Sequence, residues 1–350
     1  MKKITTGKLK ATMDEEFKVI FANITIPEFN ELGFTFGDSA RVKINDELII
    51  EDIPYYSGYY SGIEELMLCG YPGDPFIKLA RNCGDPTWFE FGMNEDSTIQ
   101  IDLFEKGKFL EIEELYSLKY SDNPADFDSL EKFANFRPLH GGTLKPNYFY
   151  RSASPCDNWH KRGTIANQLI ERYGIQCVLN LSNSEEKYNS FLQKDDFDSQ
   201  YYHELYQNNQ VLLLVLNVNY RSFEFKEKLG KGLLEMTKHD GPIVVHCAEG
   251  KDRTGFVCAV IMSLANVPYG EIIEDYMETY ECYYHITYES NPKKYDAILD
   301  NIHDFLYSMS HADRDVPLSD IDLKQTAITY LQEGGLTEDE INSIIHYINQ

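Results

Sequence analysis

The fold class that the sequence predicts is α/β, with a central, mostly parallel sheet and flanking helices, preceded by a small all-β, barrel-like domain. Three observations carry it. Residues 1–120 are short segments rich in Val, Ile, Tyr and Phe, broken by Gly, Asp and Pro, with little helical periodicity. Over residues 133–350 apolar runs of strand length alternate with stretches of helical period. Between them, residues 121–132 are polar, acidic and aperiodic, which reads as a linker.

Within the first domain there is one internal echo. Glu31-Leu32-Gly33-Phe34 leads into the alternating stretch 37–44, as Glu90-Phe91-Gly92-Met93 leads into 96–101. Two such turn-and-strand units fit a barrel made of two similar halves. The cluster Tyr55, Tyr56, Tyr59 and Tyr60 suits strand packing or a ligand-facing surface.

In the second domain the run Val178-Leu179-Asn180-Leu181, the run 211–216 and Ile243-Val244-Val245 predict strands, with a helix over 223–236 before the last of them. Beyond the third strand the pattern is helical to the end. Gly334 and Gly335 stop one helix, and Thr337 with Glu340 forms a capping box ahead of Ile341, Ile344, Ile345 and Ile348. This tail is expected to cover the sheet.

The net charge of -25 repels nucleic acid and acidic membrane surfaces at long range, so a phosphate-bearing substrate needs a local basic pocket. No apolar run approaches the roughly 18 residues of a membrane span, and the start lacks the apolar stretch of a signal peptide, which points to the cytoplasm. The seven cysteines are scattered without CxxC pairs, so neither a disulfide framework nor a zinc site is expected. No metal or other cofactor is called for.

Directly after the third strand comes His246-Cys247-Ala248-Glu249-Gly250-Lys251-Asp252-Arg253-Thr254-Gly255, and then the apolar, helix-like run 256–262. A loop of this size between a strand end and a helix N-terminus can turn the amides of Ala248, Glu249, Gly250, Lys251 and Arg253 inward around a tetrahedral dianion. Cys247 at its base is favoured as thiolate and nucleophile. Arg253 can hold two phosphoryl oxygens in bidentate fashion, Thr254 can donate to the sulfur as leaving group, and His246 braces the loop. Cys258, inside the apolar helix, reads as core.

A general acid is also needed. No Trp-Pro-Asp tripeptide precedes the nucleophile: Trp88 and Trp159 are followed by Phe89 and His160. Asp252, within the loop, is the leading candidate, with Asp195, Asp196 and Asp198 behind it; the alternative for Asp252 is simple pairing with Lys251 or Arg253.

The His-Cys, five residues, Arg-Thr spacing resembles the signature loop of the protein tyrosine phosphatase superfamily. With Asn135-Phe136-Arg137-Pro138-Leu139-His140-Gly141-Gly142, then Tyr150-Arg151-Ser152-Ala153, and the Gly250-Lys251-Asp252-Arg253-Thr254-Gly255 ending, the chain from about residue 130 onward is similar to a bacterial tyrosine phosphatase family. That resemblance implies a tyrosine phosphatase-like sheet, the loop aspartate as acid, and activity on phosphotyrosine, other phosphoamino acids or phosphoinositides. The chain departs from the family at Pro138 and His140. Arg137 and Arg151 either frame the pocket or fix the turn through backbone hydrogen bonds. Residues 51–60 and Gly84-Asp85-Pro86 resemble the small β-barrel attached to bacterial S-adenosylmethionine hydrolases, a likeness that transfers no catalytic residue.

The reading is therefore a protein tyrosine or dual-specificity phosphatase acting on phosphorylated protein through a phosphocysteine. A phosphoinositide or inositol polyphosphate substrate is the alternative, with Lys251 as the cation for a second phosphate. Two other classes compete. A non-catalytic phosphate-binding module is disfavoured by the joint presence of Cys247, Asp252, Arg253 and Thr254. A rhodanese-type sulfur-transfer enzyme is disfavoured by the Cys-to-Arg spacing.

Overall fold

The computed structural model describes residues 3–349 and divides between Leu118 and Lys119 into two compact units. The first unit holds eight strands: β1 (Thr5–Lys10), β2 (Thr12–Met13), β3 (Ile20–Phe21), β4 (Ser39–Ile44), β5 (Leu48–Tyr56), β6 (Leu66–Cys69), β7 (Lys78–Arg81) and β8 (Thr98–Glu105). They form one sheet in the order β1-β8-β4-β5-β6-β7-β3-β2. Its two ends, β1 and β2, are separated in the chain by Ala11 alone, so the sheet curls into a nearly closed barrel. Phe29, Phe34, Val42, Leu68, Leu79 and Ile101 fill the interior.

The internal echo has a structural counterpart. Each copy is a short helix, Ile26–Glu31 or Thr87–Glu90, followed by a glycine at positive φ and then β4 or β8, and these two strands pair antiparallel. The helices escape a periodicity search because they run only four to six residues. The tyrosine cluster is divided between two roles. Tyr55 is buried against Phe29 and Phe36, whereas Tyr56 and Tyr60 line a groove of about 540 Å³ beside β5.

The second unit holds β9 (Arg137–Pro138), β10 (Phe149–Ser152), β11 (Cys177–Asn180), β12 (Val211–Leu213) and β13 (Ile243–His246), in the sheet order β12-β11-β13-β10-β9. β10, β11, β12 and β13 run parallel, and β9 is an antiparallel edge, a place where Pro138 is tolerated. β13 lies between β10 and β11 with all four residues buried, the reason it reads as an unbroken apolar run. The helices Gly163–Arg172 and Gln200–Gln207 pack on one face through Ala166, Ile170, Tyr202 and Leu205 against Tyr150, Val178 and Val244.

The helix Phe223–Met236 forms where expected, capped by Ser222. The run 211–216 yields a shorter strand: the chain leaves the sheet after Leu213, and Val215 adopts φ 50°. The tail helix Glu338–Ile348 carries the Thr337/Glu340 capping box. The tail packs on the helices Phe223–Met236 and Asp252–Leu264, and so forms a layer outside the helices that cover the sheet. Residues 121–132, linker-like by composition, have regular structure within the second unit. A single turn at Pro124–Asp126 precedes the helix Leu130–Phe133, and Phe127 packs edge-on against Phe133. No helix among the described residues is long and apolar enough to cross a membrane.

Candidate active site

In a parallel sheet the loops at the carboxyl ends of the strands converge, and ligands bind there. The loop after β13 runs from Cys247 to Lys251 and leads into the helix Asp252–Leu264. Chain leaving the other strands supports it. Leu181 donates its N–H to the His246 carbonyl at 2.9 Å, Ser154 donates to the Ala248 carbonyl at 2.9 Å, and the Leu216 carbonyl accepts Arg253 Nη1 at 3.2 Å.

The loop carbonyls are held from outside, one after another. Cys247 O accepts from His246 Nδ1 at 2.9 Å. Glu249 O accepts from Tyr283 Oη at 2.7 Å and Asn135 Nδ2 at 3.2 Å, and Gly250 O from Arg151 Nη2 at 2.6 Å and Asn135 Nδ2 at 3.1 Å. In a trans peptide the N–H points opposite to the C=O. Anchoring the carbonyls of residues 247–250 therefore turns the amides of Ala248, Glu249, Gly250 and Lys251 the other way, an arrangement that can receive an anion. Gly250 is required twice over: its φ is 70°, and a Cβ there would stand 2.1 Å from the Ser152 carbonyl oxygen.

Cys247 and Arg253 are both nearly buried, at 4% and 8% exposure. His246 is fully buried, and desolvation drives its pKa down to about 4, so a neutral ring donates from Nδ1 and braces the loop. Asp252 opens the helix with its side chain 52% exposed. Crowding by the surrounding protein raises its pKa; Lys251 opposes this and the negative Glu249 reinforces it. The hydrogen bond expected from Thr254 to the Cys247 sulfur is not made: Thr254 Oγ1 is buried without a partner. Thr254 belongs to the first turn of a buried helix, where packing selects the rotamer of a β-branched side chain.

Lys251, which reads from the sequence either as the cation for a second phosphate or as the partner of Glu249 or a neighbouring carboxylate, is paired. Its Nζ lies 2.9 Å from Glu249 Oε2, 3.3 Å from Tyr284 Oη and 3.8 Å from an Asp252 oxygen. Glu249 is held in turn by Tyr120, whose hydroxyl donates to Oε1 at 2.7 Å. Asp195, Asp196 and Asp198 are exposed on the segment between the helices Glu185–Phe191 and Gln200–Gln207, where Asp196 accepts from Asn158 at 3.4 Å.

Arg137 and Arg151 brace the loop. Arg151, fully buried, bridges Asp275 Oδ2 and the Gly250 carbonyl; Arg137 reaches Asp275 Oδ1 at 3.1 Å, Thr279 Oγ1 at 3.1 Å and the Asn135 side chain that itself holds the loop. Burial pushes the Asp275 carboxyl up, but the two guanidinium groups outweigh it and hold its pKa below the usual aspartate range. Asp275, Tyr120 and Tyr283 carried no local signal in the sequence. Removing one member of a buried pair leaves the other charged and unmatched. Asp275→Asn is therefore expected to destabilise the unit by about 3 kcal/mol, lowering its thermal midpoint by about 10 °C in a calorimetric scan. An unchanged midpoint would deny the bracing role.

The profile of the tyrosine phosphatase family matches residues 129–348. A tyrosine-protein phosphatase from Nostoc commune is 44% identical over 39 residues, 11% of this chain and 13% of that relative, so the aligned stretch spans only about an eighth of the relative's length.

Proposed function

The chain belongs to the tyrosine phosphatase family, and on that premise we propose that its second unit hydrolyses phosphomonoesters through a phosphocysteine on Cys247. The observation that supports this most is the run of four consecutive loop carbonyls anchored outward, which leaves an inward amide cradle over the nucleophile. The Cys247 thiolate attacks phosphorus in line, and the bond to the leaving oxygen breaks as Asp252 gives that oxygen its proton. Water then attacks the phosphocysteine, Asp252 takes a proton from it, and the S–P bond breaks to return thiolate and inorganic phosphate. Arg253 binds two equatorial oxygens in both steps, and support of the departing sulfur by the Thr254 hydroxyl requires that side chain to turn from its present position, where it has no partner. The whole reading stands or falls on release of p-nitrophenolate from p-nitrophenyl phosphate by the full chain, with and without EDTA. A rate equal to the buffer blank sinks it, and a rate lost with EDTA sinks the metal-free mechanism.

A phosphorylated protein suits this site better than a phosphoinositide, because the cation that would receive a second phosphate is already engaged by Glu249. The functional domain is drawn from Lys119 rather than residue 133, since Tyr120 supports the loop.

Asp252→Asn separates the acid from the cradle. A phenolate of high pKa needs a proton more than p-nitrophenolate does, so the loss is expected to be about a hundredfold on phenyl phosphate and small on p-nitrophenyl phosphate. The acid works only while protonated. Activity on phenyl phosphate in the wild type should fall as pH rises through the raised pKa of Asp252, and the variant should lack that limb. Equal slowing on both substrates would move the acid elsewhere, with Asp195, Asp196 and Asp198 next.

A further inference from the structure

Four ionisable residues follow Cys247 within the loop and the first turn of the helix: Glu249, Lys251, Asp252 and Arg253. Their formal charges cancel. A site that must gather a phosphoryl dianion would gain from a free lysine, yet Lys251 is turned onto Glu249 at 2.9 Å, with its side chain only 15% exposed and that of Glu249 10%. Ion pairs so shielded are screened little by salt, unlike pairs on the surface. The Glu249 carboxylate is fixed from its other side by Tyr120, whose ring lies on His160 with centroids 3.8 Å apart and planes at 16°. His160 Nδ1 is in turn 2.8 Å from Asp122. The carboxylate is thus a built part of the loop wall, held by a strap of residues that lies well over eighty positions upstream of the loop, with Tyr120 129 positions before Glu249.

Resting on the phosphatase reading, we propose that Glu249 is a specificity-determining residue: it holds Lys251 off the bound anion, so that the loop accepts one phosphoryl group and rejects a second phosphate beside it. For Lys251 to turn to a second phosphate, a buried carboxylate would have to lose its counter-charge while facing new negative charge at close range. Both effects oppose a bisphosphate and neither touches a lone phosphoryl group seated on the amides and Arg253. The substrate class that follows is a single phosphate on a surface without a phosphate neighbour, as on a singly phosphorylated peptide segment.

The probes are inorganic phosphate and pyrophosphate, titrated calorimetrically into the full chain as wild type, Glu249→Gln and the double variant Glu249→Gln with Lys251→Ala. Gln keeps the acceptor for Tyr120 and removes the charge; Glu249→Ala serves where Gln does not fold. The wild type should favour phosphate or bind the two about equally, and Glu249→Gln should shift the affinity ratio toward pyrophosphate by about tenfold. The double variant should lose that shift, because the gain belongs to the released lysine and not to a general drop in negative charge. An unchanged ratio in Glu249→Gln, or a gain that survives in the double variant, overturns the proposal while phosphate binding leaves the cradle intact. No phosphate binding by the wild type overturns both.

Discussion

Serine in place of Cys247 is expected to bring turnover of p-nitrophenyl phosphate to background, a loss of about 10⁴- to 10⁶-fold. On the proposed mechanism the sulfur is the attacking atom, at the head of a loop whose helix begins five residues on. A serine hydroxyl has too high a pKa to ionise there, and burial, which lowers the His246 pKa to about 4, makes that ring a poor base for its proton. The loop anchors do not involve the sulfur, so the variant should keep its fold and still bind phosphate, which thermal melting with and without phosphate would show. Turnover above about 1% of wild type would remove Cys247 from the chemistry.

Arg253→Ala is expected to lower kcat/KM by about a thousandfold. Arg253 is 8% exposed and tethered through Nη1 to the Leu216 carbonyl, which restricts its fork before substrate arrives. On the proposed mechanism both the ground state and the charge that spreads over the equatorial oxygens depend on it. Arg253→Lys should recover only a small part, because a point charge on a flexible stem cannot meet two oxygens in one plane. A lysine variant close to wild type would mean that charge alone, without the bidentate geometry, is what the site requires.

The loop from His246 to Gly255 was legible because everything that identifies it is local: a cysteine, a glycine and an arginine at fixed spacing between an apolar strand and an apolar helix. The parallel strands and the helix Phe223–Met236 were legible for the same reason. What surrounds the loop was not. Asp275 meets Arg151 across 124 positions, and nothing in the pattern of its own helix marks it. Tyr120 reads as the last residue of the first domain, just before the stretch with the composition of a linker, and only the contact with Glu249 shows that it belongs to the site. Arg137 and Arg151 were visible as residues, but whether they touch substrate or backbone is a matter of three-dimensional reach. In the first unit the strand-rich character was plain, whereas a sheet that includes two strands of two residues cannot be ordered from a one-dimensional pattern.

The outward anchors of the loop come from Asn135, Arg151, Ser154 and Tyr283, positions contributed by the early and the later parts of the second unit. A cradle assembled in this way has no independent existence. A fragment carrying only β13 and its helix would hold the signature residues but not the amide geometry, and the loop cannot open without releasing donors that other elements keep in place. The cradle should therefore be lost only with the cooperative unfolding of the whole unit, and catalytic competence becomes a reporter of global folding. On heating, inactivation and unfolding should follow a single transition.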